Sequence, residues 1–133
     1  MMWQLSVLAL VFAAASPNGP VVVNGIAFGP RMTLTCKWFT NFENSRFEQC
    51  WATPGKSLIS SDGASIRCLR RSCREMDAQA RKVARWRKPE PPWGTFKVRL
   101  VGRVSLHPHK KQYLGDGTDT VLIEKLLSVR KSK

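Results

Sequence analysis

The sequence feature that most constrains the fold is the alternating stretch of residues 95–106. Its apolar and basic residues alternate with a period of two: the apolar set is Phe96, Val98 and Leu100, and the basic set is Lys97 and Arg99. This period is typical of a strand with one face on a core and the other in solvent. Gly102 interrupts the pattern, and a glycine inside a strand often marks a bulge or a barrel corner. The pattern therefore predicts a long, bent strand.

Other segments of the chain complete the predicted order of elements. Strands are predicted over 32–42, 46–52, 58–66 (a weaker strand or strand pair) and 120–129, and a helix over 72–88. Ser72 and Glu75 have the spacing of a capping box, and Pro89 ends the helix. The order indicates a mainly β, OB-like barrel of five to six strands, with the helix between the third and fourth strands. A three-stranded sheet with a packed helix is the alternative.

The alternation also predicts which side chains form the core. We expect the core to contain Leu34, Trp38, Phe42, Phe47, Val83, Phe96, Val98, Leu100, Val104, Val121, Ile123 and Leu127. Alternate positions of a strand share a face, so most of these residues are expected on the inner side of the barrel.

The N-terminal segment has the pattern of a secretory leader. Residues 5–15 are an apolar run ending in Ala13-Ala14-Ala15, an A-x-A cleavage pattern, and the run is too short to span a membrane. We expect residues 1–15 to be a signal peptide, and the alternative is a buried N-terminal helix. The remaining predicted divisions are an irregular lead-in over 16–31 with one short strand around Val21-Val22-Val23, a single domain over 32–129 and a basic tail over 130–133.

The cysteine content agrees with export. The four cysteines, Cys36, Cys50, Cys68 and Cys73, all follow the expected cleavage site and contain no C-x-x-C pair. Three pairings are open. Cys36 and Cys50 flank a predicted hairpin and are placed to face each other, whereas Cys50 with Cys68 or Cys73 would tie a strand to the start of the helix. Free, buried cysteines are the remaining alternative.

Three patches of the sequence resemble a known kind of domain. They are Leu34–Phe47 (LTCKWFTNFENSRF), Val98–Ser105 (VRLVGRVS) and His109–Gly115 (HKKQYLG). They are similar to the first hairpin, the fourth strand and a loop of small exported bacterial OB-like domains of unknown function. Cys36 departs from that pattern, which has glycine there. The resemblance implies a barrel architecture and export, and it implies no activity.

Basic residues are concentrated in the second half of a chain whose net charge is +13. Residues 1–66 contain four basic and three acidic side chains, whereas residues 67–133 contain eighteen basic and six acidic ones. We expect an anion-binding surface formed by Arg81, Arg85, Lys97, Arg99 and Arg103, with Trp86 and Trp93 as stacking residues at its edge. Arg130 and Lys131 in the tail are expected to contribute little. A basic surface that only keeps the protein soluble is the alternative.

Catalytic and metal-binding patterns are weak in this sequence. His107 and His109 lie in one polar loop, and Asp116 or Asp119 would have to join them in a metal site beside two repelling lysines. We therefore predict an exported, non-catalytic binding or structural module without metal or cofactor. Its expected partner is a polyanion: an envelope lipid head group, an acidic glycan or a nucleic acid. A nucleic-acid-binding OB-fold protein is the alternative if the leader is not cleaved, and a hydrolase using the His107/His109 loop is a weaker one.

Overall fold

A computed structural model describes residues 18–111 and 117–132 of the 133-residue chain. Its elements are β1 (Val21–Val23), β2 (Ile26–Phe28), β3 (Met32–Thr40), β4 (Ser45–Trp51), β5 (Ala64–Cys68), α1 (Ser72–Ala84), β6 (Gly94–Val104) and β7 (Asp119–Lys131). The expected leader, residues 1–15, lies outside the described residues, and so does Asp116 of the polar loop.

Five strands close into a barrel in the order β3-β4-β5-β7-β6, with β6 pairing back onto β3. Only the β5–β7 pair of this ring is parallel. The helix follows the third barrel strand and precedes the fourth. The predicted mainly β, OB-like barrel with one helix is therefore confirmed, and the three-stranded alternative is wrong.

The core lies inside this ring and is closed at one end by α1. It contains Leu34, Cys36, Trp38, Phe47, Cys50, Ile59, Ala64, Phe96, Val98, Leu100, Val121, Ile123 and Val129 from the barrel strands and one loop, with Met76 and Ala80 from the helix. Val104 is only partly buried and packs against this cluster. Burial of these apolar side chains is the main favourable contribution to folding.

Three residues predicted for the core are exposed. Phe42 is 58% exposed because β3 ends at Thr40 and Phe42 falls in the following turn. Leu127 is 41% exposed because it is the extra residue of a bulge: Ser128 pairs with Arg99 and Leu126 pairs with Leu100. Val83 is 37% exposed. In the last turn of the helix, the neighbouring Ala84 packs against the core instead.

The helix begins at the predicted residue but without the predicted capping box. Arg71 is the N-cap and makes no side-chain capping bond, while the buried Ser72 hydroxyl donates to the Leu69 carbonyl at 2.8 Å. The helix ends at Ala84, before Pro89, because Arg85 adopts a left-handed conformation with φ of 54°. The amides of Arg85 and Trp86 close back onto Lys82 and Arg81 carbonyls, which is a Schellman end.

The short strand predicted in the lead-in is confirmed as β1, and it pairs with β2, which was not predicted, in a β-hairpin. Asn24 and Gly25 form its turn with positive φ angles of 50° and 79°, the conformation of a tight hairpin turn. The hairpin lies against the end of β6, where the Gly29 amide donates to Val104 and the Leu106 amide donates to Ala27. At the other end of the chain, β7 continues through Lys131, so Arg130 and Lys131 of the predicted basic tail belong to the barrel.

Two disulfides settle the pairing that the sequence left open. Cys36 and Cys50 are direct partners on β3 and β4, and their bridge lies in the core. Cys68 and Cys73 join the end of β5 to the first turn of α1. Free cysteines are therefore excluded, and two bridges are compatible with an oxidising compartment. Among the described residues, no helix has the length and apolar content needed to span a membrane.

Candidate anion-binding site

Lys97 and Arg99 lie on the outer face of β6, as the alternation predicted. Both are exposed, while Phe96, Val98 and Leu100 point into the core. The pairing register adds neighbours that the sequence pattern alone did not show. Lys97 is the direct partner of Lys37 on β3 and of Arg130 on β7, so three cations stand in one row across three strands.

The next row of the same face contains Arg99. Thr35 on β3 and Ser128 on β7 are its direct partners, and Thr35 in turn pairs with Trp51 on β4. We name the outer face formed by Lys37, Lys97, Arg99 and Arg130 the cation array. The prediction that Arg130 matters little is not supported by this placement, because β7 carries Arg130 next to Lys97.

Few carboxylates neutralise the cation array. Glu48 lies 3.7 Å from the Lys37 amine, in a pair whose side chains are 45% and 33% exposed. Within the described part of the chain, Lys97, Arg99 and Arg130 have no ion pair or hydrogen bond through their side chains. Like charges at directly opposed positions destabilise a sheet. The array therefore has a folding cost that an anionic ligand would remove.

A groove of about 530 Å³ adjoins the array. Lys97 and Arg99 line one side, and Trp51 and the turn of residues 52–55 line the other. From the sequence, Trp51 was placed only within the predicted strand over 46–52. Its position beside the cations depends on the β3–β4 register, which has a shift between Lys37 and Trp38.

Arg81 and Arg85 line a different groove, of about 510 Å³, together with Lys82, Trp86 and Arg87. The Arg81 guanidinium is already used within the protein: it donates to Asp77 at 2.7 Å and to the carbonyls of residues 88, 89 and 90 at 2.7–3.2 Å. Arg81 therefore holds the segment after the helix in place. The structure does not bring Arg81 and Arg85 into the groove of Lys97 and Arg99.

The prediction that Arg103 faces solvent beside Lys97 and Arg99 is wrong. Arg103 is 2% exposed because the N-terminal hairpin covers the end of β6. Its guanidinium donates to the carbonyls of Gly19 at 2.6 Å and Gly29 at 3.2 Å, and to Glu124 at 3.1 Å. Arg103 therefore fastens the hairpin to the barrel and does not belong to the anion-binding surface.

Glu124 is shared between two arginines. Its carboxylate accepts from Arg31 at 2.5 Å as well as from Arg103. Burial by itself raises the pKa of Glu124, but the hydrogen bonds and positive charges of Arg31 and Arg103 outweigh burial and lower the pKa below its ordinary value. The carboxylate is therefore charged at neutral pH and neutralises the buried guanidinium.

Trp86 and Trp93, the predicted stacking residues, are in contact with each other. Their ring centroids are 6.1 Å apart, and Phe42 lies 5.7 Å from Trp93 on another side. Phe42 was expected in the core, so sequence reasoning missed its place in this cluster. The turn formers Asn41 and Asn44 on either side of it are the signal that could have placed it outside the strand.

The two histidines have separate surroundings. His109 Nε2 is 2.6 Å from the Thr120 hydroxyl, and Nδ1 is 3.1 Å from the Lys110 carbonyl, whereas His107 is exposed. Asp119 accepts from the Ser60 amide at 2.7 Å. Among residues 18–111 and 117–132, no three potential ligands among His, Cys, Asp and Glu are grouped around a common point.

Among the described residues, the cation array with its adjoining groove and the exposed rings of Phe42 and Trp93 are surface features suited to contact a ligand. Comparisons of the chain with protein-family models, with curated protein sequences and with solved structures found no match.

Proposed function

We propose that this protein is an exported, non-catalytic module that binds anionic ligands on the outer face of β3, β6 and β7. The observation that carries the proposal is the row of Lys37, Lys97 and Arg130 in direct register, extended by Arg99. A row of opposed like charges costs stability in the free protein. A polyanion would reverse that cost by pairing with several of the cations at once.

The groove beside Trp51 supports a ligand that is more than a simple ion. Lys97 and Arg99 offer charged donors on one side, and the indole and the turn of residues 52–55 offer apolar surface on the other. Concave sites with apolar walls and a few polar groups are typical of ligand pockets. An anionic group attached to a ring or a short apolar portion fits this arrangement.

Export is supported by the two disulfides and by the leader pattern of residues 1–15. An exported protein meets lipid head groups and acidic glycans, and these are the ligands we favour. Nucleic acid is the second candidate, because the strand order is that of OB-like barrels, some of which bind oligonucleotides. Fold alone does not establish function, so binding measurements must identify the ligand.

Charge reversal within the array tests the proposal. The double variant Lys97→Glu/Arg99→Glu should lose most of its salt-dependent retention on heparin and on polyphosphate, since both residues are exposed and have no partner among the described side chains. The slope of log affinity against log salt should fall by about 0.7 for each lost contact with a single-stranded phosphate polymer.

The control is Lys110→Glu/Lys111→Glu, which changes the net charge equally at exposed positions of the loop that follows β6. We expect this variant to keep most of its retention. Equal losses in both variants would leave only diffuse net charge as the cause of binding and would refute the site. Tighter binding of single-stranded DNA than of heparin at the same salt concentration would favour the nucleic-acid candidate.

A further inference from the structure

Three aromatic side chains form a cluster outside the core, near one end of the barrel. Phe42 comes from the turn between β3 and β4, Trp86 follows α1, and Trp93 directly precedes β6. Ring centroids are 5.7 Å apart for Phe42 and Trp93, and 6.1 Å apart for Trp93 and Trp86. Phe42 is 58% exposed and Trp93 is 52% exposed. We name these residues the aromatic tip; contiguous exposed apolar side chains mark interaction surfaces more often than scattered ones do.

The backbone that carries the aromatic tip is held by hydrogen bonds. The Asn41 side chain accepts from the amides of Glu43 at 2.9 Å and Asn44 at 2.7 Å, which closes the turn around Phe42. Arg81 donates to three carbonyls of residues 88–90, and the Trp86 indole donates to the Glu90 carbonyl at 2.9 Å. Binding through the tip therefore needs little additional ordering of the chain.

Cations lie on the Trp86 side of the tip, and Glu43 and Asp77 border its Phe42 side. The Lys88 amine lies 5.2 Å from the centre of the Trp86 ring, and Arg85 and Arg87 line the groove that Trp86 borders. Glu43 and Glu90 are the acidic residues of the same two segments, so cations are in excess. The Trp93 indole N–H has no hydrogen-bond partner in the described part of the chain. It is free to donate to a ligand.

We propose that the aromatic tip docks onto the surface of an anionic phospholipid bilayer. Phe42 has no polar side-chain atom and projects from a turn, a position from which a side chain enters the acyl region. Tryptophan favours the boundary between head groups and acyl chains, where its ring is apolar and its N–H finds an acceptor. Arg85, Arg87 and Lys88 would contact the acidic head groups.

Ring geometry favours a bilayer over a nucleic acid at this position. Successive bases stack on open, parallel ring faces. Here the rings contact one another and are tilted by 35° and 33° between neighbours, so they form one apolar cluster and not a series of platforms. This proposal does not depend on the cation array, which lies on β3, β6 and β7.

Vesicle binding of the mature protein tests the proposal. We expect co-sedimentation with vesicles of phosphatidylglycerol and phosphatidylcholine, weaker binding to phosphatidylcholine alone, and a blue shift of tryptophan emission. Phe42→Ser/Trp93→Ser should bind acidic vesicles at least about tenfold more weakly, since two aromatic side chains no longer leave water. Circular dichroism and the melting temperature verify that the variant is folded.

The matched control is Leu106→Ser, which removes an apolar side chain that is 51% exposed on another loop. It should bind vesicles as the parent does. Heparin retention separates this proposal from the cation array: the Phe42/Trp93 variant should keep it, whereas Lys97→Glu/Arg99→Glu should lose it. Unchanged vesicle binding in the Phe42/Trp93 variant would refute the docking surface. If the Phe42/Trp93 variant lost binding to single-stranded DNA but kept vesicle binding, the tip would be a nucleic-acid site. The bilayer proposal would then be refuted.

Discussion

Arg103 is a buried charged residue that links the N-terminal segment to the barrel through hydrogen bonds. It is 2% exposed, and its guanidinium joins backbone carbonyls of the N-terminal segment to Glu124 on β7. A buried charge is tolerated only when it is paired and hydrogen-bonded. Glu124 supplies the countercharge, so removing the carboxylate leaves a buried cation without its partner.

We expect Glu124→Gln to lower the free energy of unfolding by about 3 kcal/mol at neutral pH, the cost typical of breaking a buried ion pair. The folded-state pKa of Glu124 is lowered from 4.5, so the carboxylate contributes stability above that pH and loses it as the pH falls through the lowered value. The difference between parent and variant should therefore shrink below pH 4.5 in urea titrations. Glu75→Gln, at an exposed position of α1, is the control, and equal stability of parent and Glu124 variant at pH 7 would contradict the pairing.

Strands β3 and β4 are joined by hydrogen bonds and by a bridge inside the core. Cys36 and Cys50 are both 0% exposed and are direct cross-strand partners. On β6, a side chain at Gly102 would collide with the Leu122 carbonyl, at the point where β6 and β7 shift register. The predicted corner glycine is thus a place where two strands approach too closely for any other residue.

Removal of the core disulfide should cost more than removal of the other one. Cys36→Ala/Cys50→Ala opens a loop with a sequence separation of 14, for which loop-closure entropy gives about 3 kcal/mol. Cys68→Ala/Cys73→Ala opens a loop with a separation of 5, and the same relation gives about 2 kcal/mol. Urea unfolding of both variants measures the difference. A larger loss of unfolding free energy in Cys68→Ala/Cys73→Ala than in Cys36→Ala/Cys50→Ala would contradict this prediction.

At the scale of the molecule, charge is distributed unevenly around a disulfide-bonded barrel. The cation array covers one outer face, and the aromatic tip with its cations lies near one end. The hairpin of β1 and β2 covers the region around Arg103. These surfaces are the places where the proposed anionic partners would bind.

Export has a direct test in the intact mass of the protein recovered from cell fractions. We expect a chain that starts at Ser16, is found outside the cytoplasm, and has no alkylatable thiol until a reductant is added. Four thiols should react after reduction. A mass that retains Met1, or thiols that react without reductant, would contradict export or oxidation respectively.

Local sequence patterns predicted the single helix, the barrel order and four of the five barrel strands close to their observed bounds, because period-two alternation and turn residues act within a few positions of each other. The weaker strand predicted over 58–66 overlaps β5 (Ala64–Cys68) only at residues 64–66. They placed Lys97 and Arg99 on the outer face for the same reason. They did not find the β1–β2 hairpin, although Asn24-Gly25 is a strong turn signal. They also ended the helix at a proline, whereas the backbone turns at Arg85.

What only the tertiary structure decided is which residues become neighbours across strands and what covers each face. Alternation assigned Arg103 to the outer side of β6, but burial came from a hairpin more than seventy residues earlier in the chain. The row of Lys37, Lys97 and Arg130 exists only through the register of three strands. The contact of Phe42 with Trp93 arises where the β3–β4 turn and the connector between α1 and β6 meet. Such contacts join residues far apart in sequence, so a pattern with a short period contains no information about them.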